Sequence, residues 1–162
     1  PPREYSISSS YKATPDEVHI TVGAVRYHSH GRDRTGVCSV QFAERVQPGD
    51  TVPIYLKRNP NFKFPQESEV PVIMIGPGTG VAPFRSYMQE REELGFKGNT
   101  WLFFGEQHFT TDFLYQTDFI KGNIILYIFF CSFNFLFLLE FILYTLKSML
   151  NFIFIQYVMF SY

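Results

Sequence analysis

Five residues, Gly76-Pro77-Gly78-Thr79-Gly80, carry the sharpest chemical signal in the chain. They follow the apolar run "PVIMIG" (71–76) and lead into "FRSYMQEREELG" (84–95), whose Phe84, Tyr87, Met88, Arg91 and Leu94 form one helical stripe. Glycines placed directly after a buried strand let the backbone turn sharply and come close to a ligand. The helix that follows aims its unpaired N–H groups and positive dipole end at the same place. A dinucleotide pyrophosphate suits that edge of a parallel sheet. The spacing is neither GxGxxG nor a P-loop, and a strand-to-helix turn of this composition also occurs with no ligand.

Two further stretches offer compatible groups. "GVCS" (36–39) opens a second helix, so Gly36, Val37, Cys38 and Ser39 supply amides without intrahelical acceptors. Most such helix starts meet only water. "REYS" (3–6) sets a planar guanidinium, a flat ring and a small hydroxyl close together on a strand. An edge arginine beside a core tyrosine is the plainer account of it.

The elements that must hold these residues divide into two kinds. Residues 4–10 and 17–28 read as β-strands, the second interrupted at Gly23, and "TPDE" (14–17) as a turn between them. Residues 28–36 read as a polar loop, 38–46 as a short helix with Ser39 as N-cap, 47–50 as a turn and 51–58 as an edge strand. The Pro-rich segment 59–69 is a connector. Beyond it, strand 71–76, helix 84–95 ending at Gly95, and strand 100–105 make a βαβ unit and hence a parallel sheet.

Composition narrows the setting. The formal net charge of -1 gives no electrostatic case for nucleic acid. Cys38 and Cys131 lack metal or redox spacing, which points to a reducing, cytoplasmic environment. His28 and His30 form a pair without a third ligand, so no metal site is expected. The run "QEREELG" reads as a solvated helix face.

The order of these motifs resembles the ferredoxin–NADP reductase superfamily and, within it, the NADPH-dependent diflavin reductases. "YSISSS", "EVHITVGAVRY", "VPVIMIGPGTGVAPFRSYMQER" and "WLFFGEQHFTTDFLYQTDF" are similar to the branch of that family serving sulfite reductase; the NADPH–haemoprotein reductases are a more distant likeness. The resemblance covers residues 1 to about 119 and implies an antiparallel FAD-binding β-barrel, present in part, followed by an incomplete α/β parallel-sheet NADP-binding domain. It places the barrel portion at 1–66 and the NADP-binding portion at 67–119. By similarity, Arg3 pairs with the FAD pyrophosphate beside Glu4, Tyr5 stacks on the isoalloxazine, and Ser6 lies near flavin N5. Thr21, Val22, Gly23 and Tyr27 lie along the nucleotide half of FAD. Gly36, Val37, Cys38 and Ser39 receive its pyrophosphate, and Gly76, Gly78, Thr79 and Gly80 face NADPH. The implied reaction is hydride transfer from NADPH to FAD, then electron transfer through FMN, held in an upstream domain, to a haemoprotein acceptor. It requires no catalytic acid or base from this chain.

The last 43 residues depart from that pattern. Residues 120–162 hold nine of the 19 Phe and no Pro, Asp, Arg, His, Ala or Trp. They read as an anomalous apolar tail foreign to the family, matching translated AT-rich sequence better than a membrane segment at 124–146. The family's later motifs for the 2′-phosphate and nicotinamide, its FMN domain and the start of its FAD domain are not found, so the chain reads as an internal piece of a reductase. The competing expectation is a truncated product that at most binds FAD, with its unfinished sheet leaving open edges after Phe104.

Overall fold

The computed structural model describes residues 2–122, 125–130 and 154–157. A two-stranded antiparallel hairpin, β1 (Arg26–Ser29) and β2 (Arg32–Thr35), leads into helix α1 (Val37–Glu44). Then follow β3 (Val72–Pro77), a single 3₁₀ turn (Gly78–Val81), helix α2 (Ala82–Leu94) and β4 (Thr100–Glu106). Two short helices, α3 (Phe109–Asp112) and α4 (Gln116–Lys121), and the strands β5 (Ile125–Phe130) and β6 (Phe154–Tyr157) complete the described elements. The second sheet is all-parallel in the order β5-β4-β3-β6.

The βαβ unit forms as its pattern predicts. β3 and β4 sit centrally in the sheet, and Val72, Ile73, Met74, Leu102, Phe103 and Phe104 are buried. The 3₁₀ turn and Pro83 at the start of α2 carry the chain from strand to helix without a side-chain cap. Gly95 ends α2 in the left-handed region at φ 66°, with its N–H donating to Glu92 O and the Phe96 N–H to Arg91 O. Phe84, Tyr87 and Phe119 close the core over Val72, Met74, Leu102 and Phe104. Phe62 and Phe64, in the connector, pack on this core too: Phe64 stacks on Tyr87 with ring centroids 4.0 Å apart.

The first 58 residues differ from their expected strands. Of the strands expected at 4–10 and 17–28, one isolated bridge, Ile7 to Ile20, joins the two segments, and the end of the second lies in β1, which pairs with β2 instead. Residues 51–58 form no strand, and Ile54 is 83% exposed. A strand needs a neighbour to take its N–H and C=O groups, and among the described residues no strand pairs with 51–58. No closed barrel exists among the described residues. The expected loop at 28–36 is instead the β1–β2 hairpin, whose two turn residues, His30 (φ 51°) and Gly31 (φ 70°), both take positive φ, the type I′ geometry that matches strand twist.

The open sheet edges expected after Phe104 are covered: β5 pairs with β4 from Trp101 to Glu106, and β6 with β3 from Val72 to Ile75. Most of the proposed tail, and most of the membrane-segment reading at 124–146, lies outside the described residues; residues 125–130 of it are strand. No helix among the described residues is long and apolar enough to cross a membrane.

Candidate functional site

The candidate residues gather in two clusters. In the first, Tyr5 lies against the start of α1, its ring edge-on to Phe42 at 6.0 Å. Burial, together with a hydrogen bond to the Cys38 thiol, pushes the Tyr5 phenol up to about 12, while the nearby Arg3 guanidinium opposes the rise. Arg3, Tyr5 and Cys38 are therefore neighbours. Val37, the first residue of α1, is 86% exposed. A guanidinium, a ring and a helix N-terminus are groups that fit a pyrophosphate joined to a flat heterocycle. Glu4 is ion-paired with Lys57, which raises the Lys57 pKa and ties the opening segment to 51–58. Ser6 is exposed.

Ser39 does not cap α1 as expected. Gly36 occupies the N-cap position, and Ser39 lies inside the first turn, buried. Its hydroxyl accepts the Val25 N–H at 3.1 Å, and Gly36 N–H donates to Val25 O at 2.9 Å. Any contribution of Ser39 to a ligand is thus through its backbone. A Cβ on Gly36 would stand 3.0 Å from the Val25 side chain as well as striking Ser39 Oγ, so this glycine is needed for helix and strand to meet.

The second cluster sits at the carboxyl edge of β3 and β4. A Cβ on Gly76 would lie 2.7 Å from the Phe84 ring and 2.8 Å from Gly80 O, so only glycine lets the turn fold back over the strand. Gly78 takes φ 52°, and the position of its absent Cβ is 2.9 Å from the Glu106 carboxylate. Thr79 links the clusters' halves of the chain: its methyl lies 3.5 Å from where a Gly23 Cβ would be. Thr21, two residues earlier, shares a 2.5 Å hydrogen bond with the Tyr115 hydroxyl. Val22 is half-buried beside them, while Tyr27 stands exposed on β1, opposite Arg34.

Sequence reasoning missed Glu106, Arg85 and Tyr115. Glu106 ends an apolar strand, and the first polar residue after such a strand falls at the sheet's carboxyl edge, a signal that could have found it. His28, expected to be solvated, is exposed and pairs with Asp33 at 2.8 Å. No group of three or more metal-ligating side chains exists among the described residues.

Comparison with known proteins gives this geometry a lineage. The FAD binding domain family matches residues 1–40, and the oxidoreductase NAD-binding domain family matches residues 74–121. Each cluster falls within or beside one of these spans, so the chain joins an FAD-binding region to a nicotinamide-dinucleotide-binding region, the class of flavoprotein oxidoreductases. The sulfite reductase [NADPH] flavoprotein alpha-component of Bacillus subtilis (strain 168) is 67% identical over 118 residues, 73% of this chain and 20% of that protein. Its counterpart in Photorhabdus laumondii is 55% identical over 117 residues, 72% of this chain and 20% of that protein. The one in Yersinia pestis is 54% identical over 117 residues, again 72% of this chain and 19% of the relative. The chain belongs to the NADPH-dependent diflavin reductase family. It spans about a fifth of the length of the curated relatives it matches.

Proposed function

We propose that this chain carries the junction between the flavin and the nicotinamide nucleotide in an NADPH-dependent reductase. The observation that carries the reading is the approach of Gly23, in the expected FAD-nucleotide segment, to Thr79, in the dinucleotide turn. When bound, NADPH and FAD supply a hydride transfer to flavin N5 followed by single-electron release through FMN to a haemoprotein such as sulfite reductase. Residues 1–66 hold the FAD side and 67–119 the NADPH side.

Each side has its own binding chemistry. Arg3 and the amides of Val37, Cys38 and Ser39, at the helix start that Gly36 opens, neutralise the FAD diphosphate, Tyr5 lays its ring along the flavin, and Ser6 offers a hydroxyl to its edge. Glu4, held by Lys57, ties down the segment that carries Arg3 and Tyr5. Thr21, Val22, Gly23 and Tyr27 line the adenosine side. Gly76, Gly78, Thr79 and Gly80 bring backbone amides to the nicotinamide dinucleotide, while the Glu106 carboxylate beside Gly78 is an anion that turns phosphate away from that side of the turn. The chain's residues bind and orient; none moves a proton. A cytoplasmic setting accords with this chemistry.

Titrating the refolded chain with FAD, followed by flavin absorbance and fluorescence quenching, tests the proposal. The expected result is saturable binding that Arg3→Ala weakens by about tenfold, the loss of one charge-assisted phosphate contact. No quenching by the native chain, or equal affinity in the variant, sinks the assignment.

A further inference from the structure

A polar seam joins the opening segment to α2. Ser8, Ser9 and Ser10 are all buried. Arg85 Nη1 donates to Ser8 O at 2.8 Å, Ser86 Oγ donates to Ser9 O at 2.8 Å, and Ser10 N–H donates to Gln89 Oε1 at 2.9 Å. The Ser10 hydroxyl donates to Glu90, and Lys12 pairs with the same carboxylate at 3.2 Å. Half of the charged run expected to be solvated is therefore a docking face, and only Glu92 to Leu94 of α2 remain exposed.

Arg85 is the hub of this seam. Its side chain is 13% exposed. Its Nε donates to Asp118 at 2.6 Å, its Nη1 meets His19 Nδ1 at 3.2 Å, and its guanidinium lies 4.5 Å above the Tyr115 ring. Arginine can only donate, so His19 Nδ1 accepts and its proton sits on Nε2, facing Glu17 at 2.8 Å. Tyr115 takes φ 58°, a costly value for a non-glycine residue, and its hydroxyl reaches Thr21 Oγ1. One arginine and one tyrosine thus grip residues 8, 19 and 21 on one side and α4 on the other.

Apolar burial is non-directional and permits sliding, whereas hydrogen bonds have preferred angles. A seam made of hydrogen bonds fixes orientation as well as contact. We propose that Arg85 and Tyr115 are positioning residues that set the distance and angle between the Tyr5–Ser6 segment and the Gly76–Gly80 turn. The proposal rests on the functional reading above. Its consequence is kinetic: reacting atoms must stand about 3–3.5 Å apart, and a misplacement of about 1 Å costs about 10²-fold in rate.

The test measures geometry and chemistry on the same full chain. Spin labels on non-natural residues at the exposed positions of Gln41, on α1, and Glu93, on α2, report the distance distribution between the halves. A narrow distribution in the native chain, broadened in Arg85→Ala and in Tyr115→Phe, is expected. FAD and NADPH titrations should stay within about twofold, while the stopped-flow rate of flavin reduction falls by about 10²-fold in Arg85→Ala. Tyr115→Phe keeps the ring under Arg85 and loses only the hydroxyl, so it decides the matter if Arg85→Ala fails to fold. A broad distribution in the native chain, or an unchanged one in a folded variant, overturns the clamp. Failure of the native chain to bind FAD removes the functional reading instead, and the label distances still decide the clamp.

Discussion

β3 and β4 bury nearly every side chain they carry, whereas residues 51–58, which also read as a strand, bury almost none. The second half of the chain is held by its own core. Phe84, Tyr87 and Phe119 close one face of a parallel sheet, and α2 is the crossover that such a sheet requires. The first half has one β-bridge, one hairpin and a short helix, and it is held largely by docking onto α2 through serines. Family matches cover both halves, so shared ancestry does not account for the difference. What differs is where the partners lie. A βαβ unit finds its hydrogen-bond partners within about 30 residues, whereas 51–58 pairs with no strand among the described residues.

Paired truncations sharpen this contrast. Phe84→Ala, which removes a ring with no exposure from among Phe62, Phe64 and Tyr87, should cost about 3–5 kcal/mol in urea unfolding. A loss below about 1 kcal/mol would mean that the sheet's core does not hold the second half together. Gly76→Ala drives a Cβ into Phe84 and the Gly80 carbonyl and should cost about 1–3 kcal/mol, with the same midpoint shift whether tryptophan emission or far-ultraviolet ellipticity is followed.

Ser9→Ala probes the other half. It removes the hydroxyl that accepts the His19 N–H at 3.0 Å and should cost about 1 kcal/mol. Hydrogen exchange should locate that loss at residues 8–20 and leave β3 and β4 protected; loosening of β3 would erase the distinction between the halves. Ile54→Ala, at a side chain already in water, should change stability by no more than about 0.5 kcal/mol. A larger loss would show that 51–58 has a partner after all.

The smallest effect is set by pH. Hydrogen bonds from Thr111 and then His108 hold the Asp112 carboxyl below its ordinary value. A depressed native pKa stabilises the fold above the unfolded value, and the gain is lost as pH falls through the native one. The His108 amide, which donates to Asp112 at 3.0 Å, should therefore lose exchange protection, after correction for intrinsic rates, as pH falls below the ordinary aspartate value of about 3.9. Asp112→Asn should abolish that pH dependence, and its persistence in the variant would assign the transition to another group.

The parts legible in the sequence are those whose signal is local. "PVIMIG", the helical stripe from Phe84 to Arg91 and the stop at Gly95 each carry their own period or backbone preference, and β3, α2 and β4 follow them within two residues. The hairpin was hidden because its turn is His30-Gly31 rather than Asn-Gly, and its strands, Arg-Tyr-His-Ser and Arg-Asp-Arg-Thr, carry no apolar alternation. Gln89 and Glu90 read as solvent-facing because charge alone says nothing of what docks against it. The nearness of Tyr5 to α1 was legible as compatible chemistry, but the approach of Gly23 to Thr79 is tertiary, and nothing within either stretch announces it.

Trp101, the chain's single tryptophan, sits buried in β4, within the half that folds around its own core. Its fluorescence is therefore a built-in lamp for that half alone, blue-shifted while the sheet is intact. A flavin seated against Tyr5 would absorb that light from across the seam. Resonance energy transfer would then read the spacing of the two halves without any added label, and the native chain would report its own geometry.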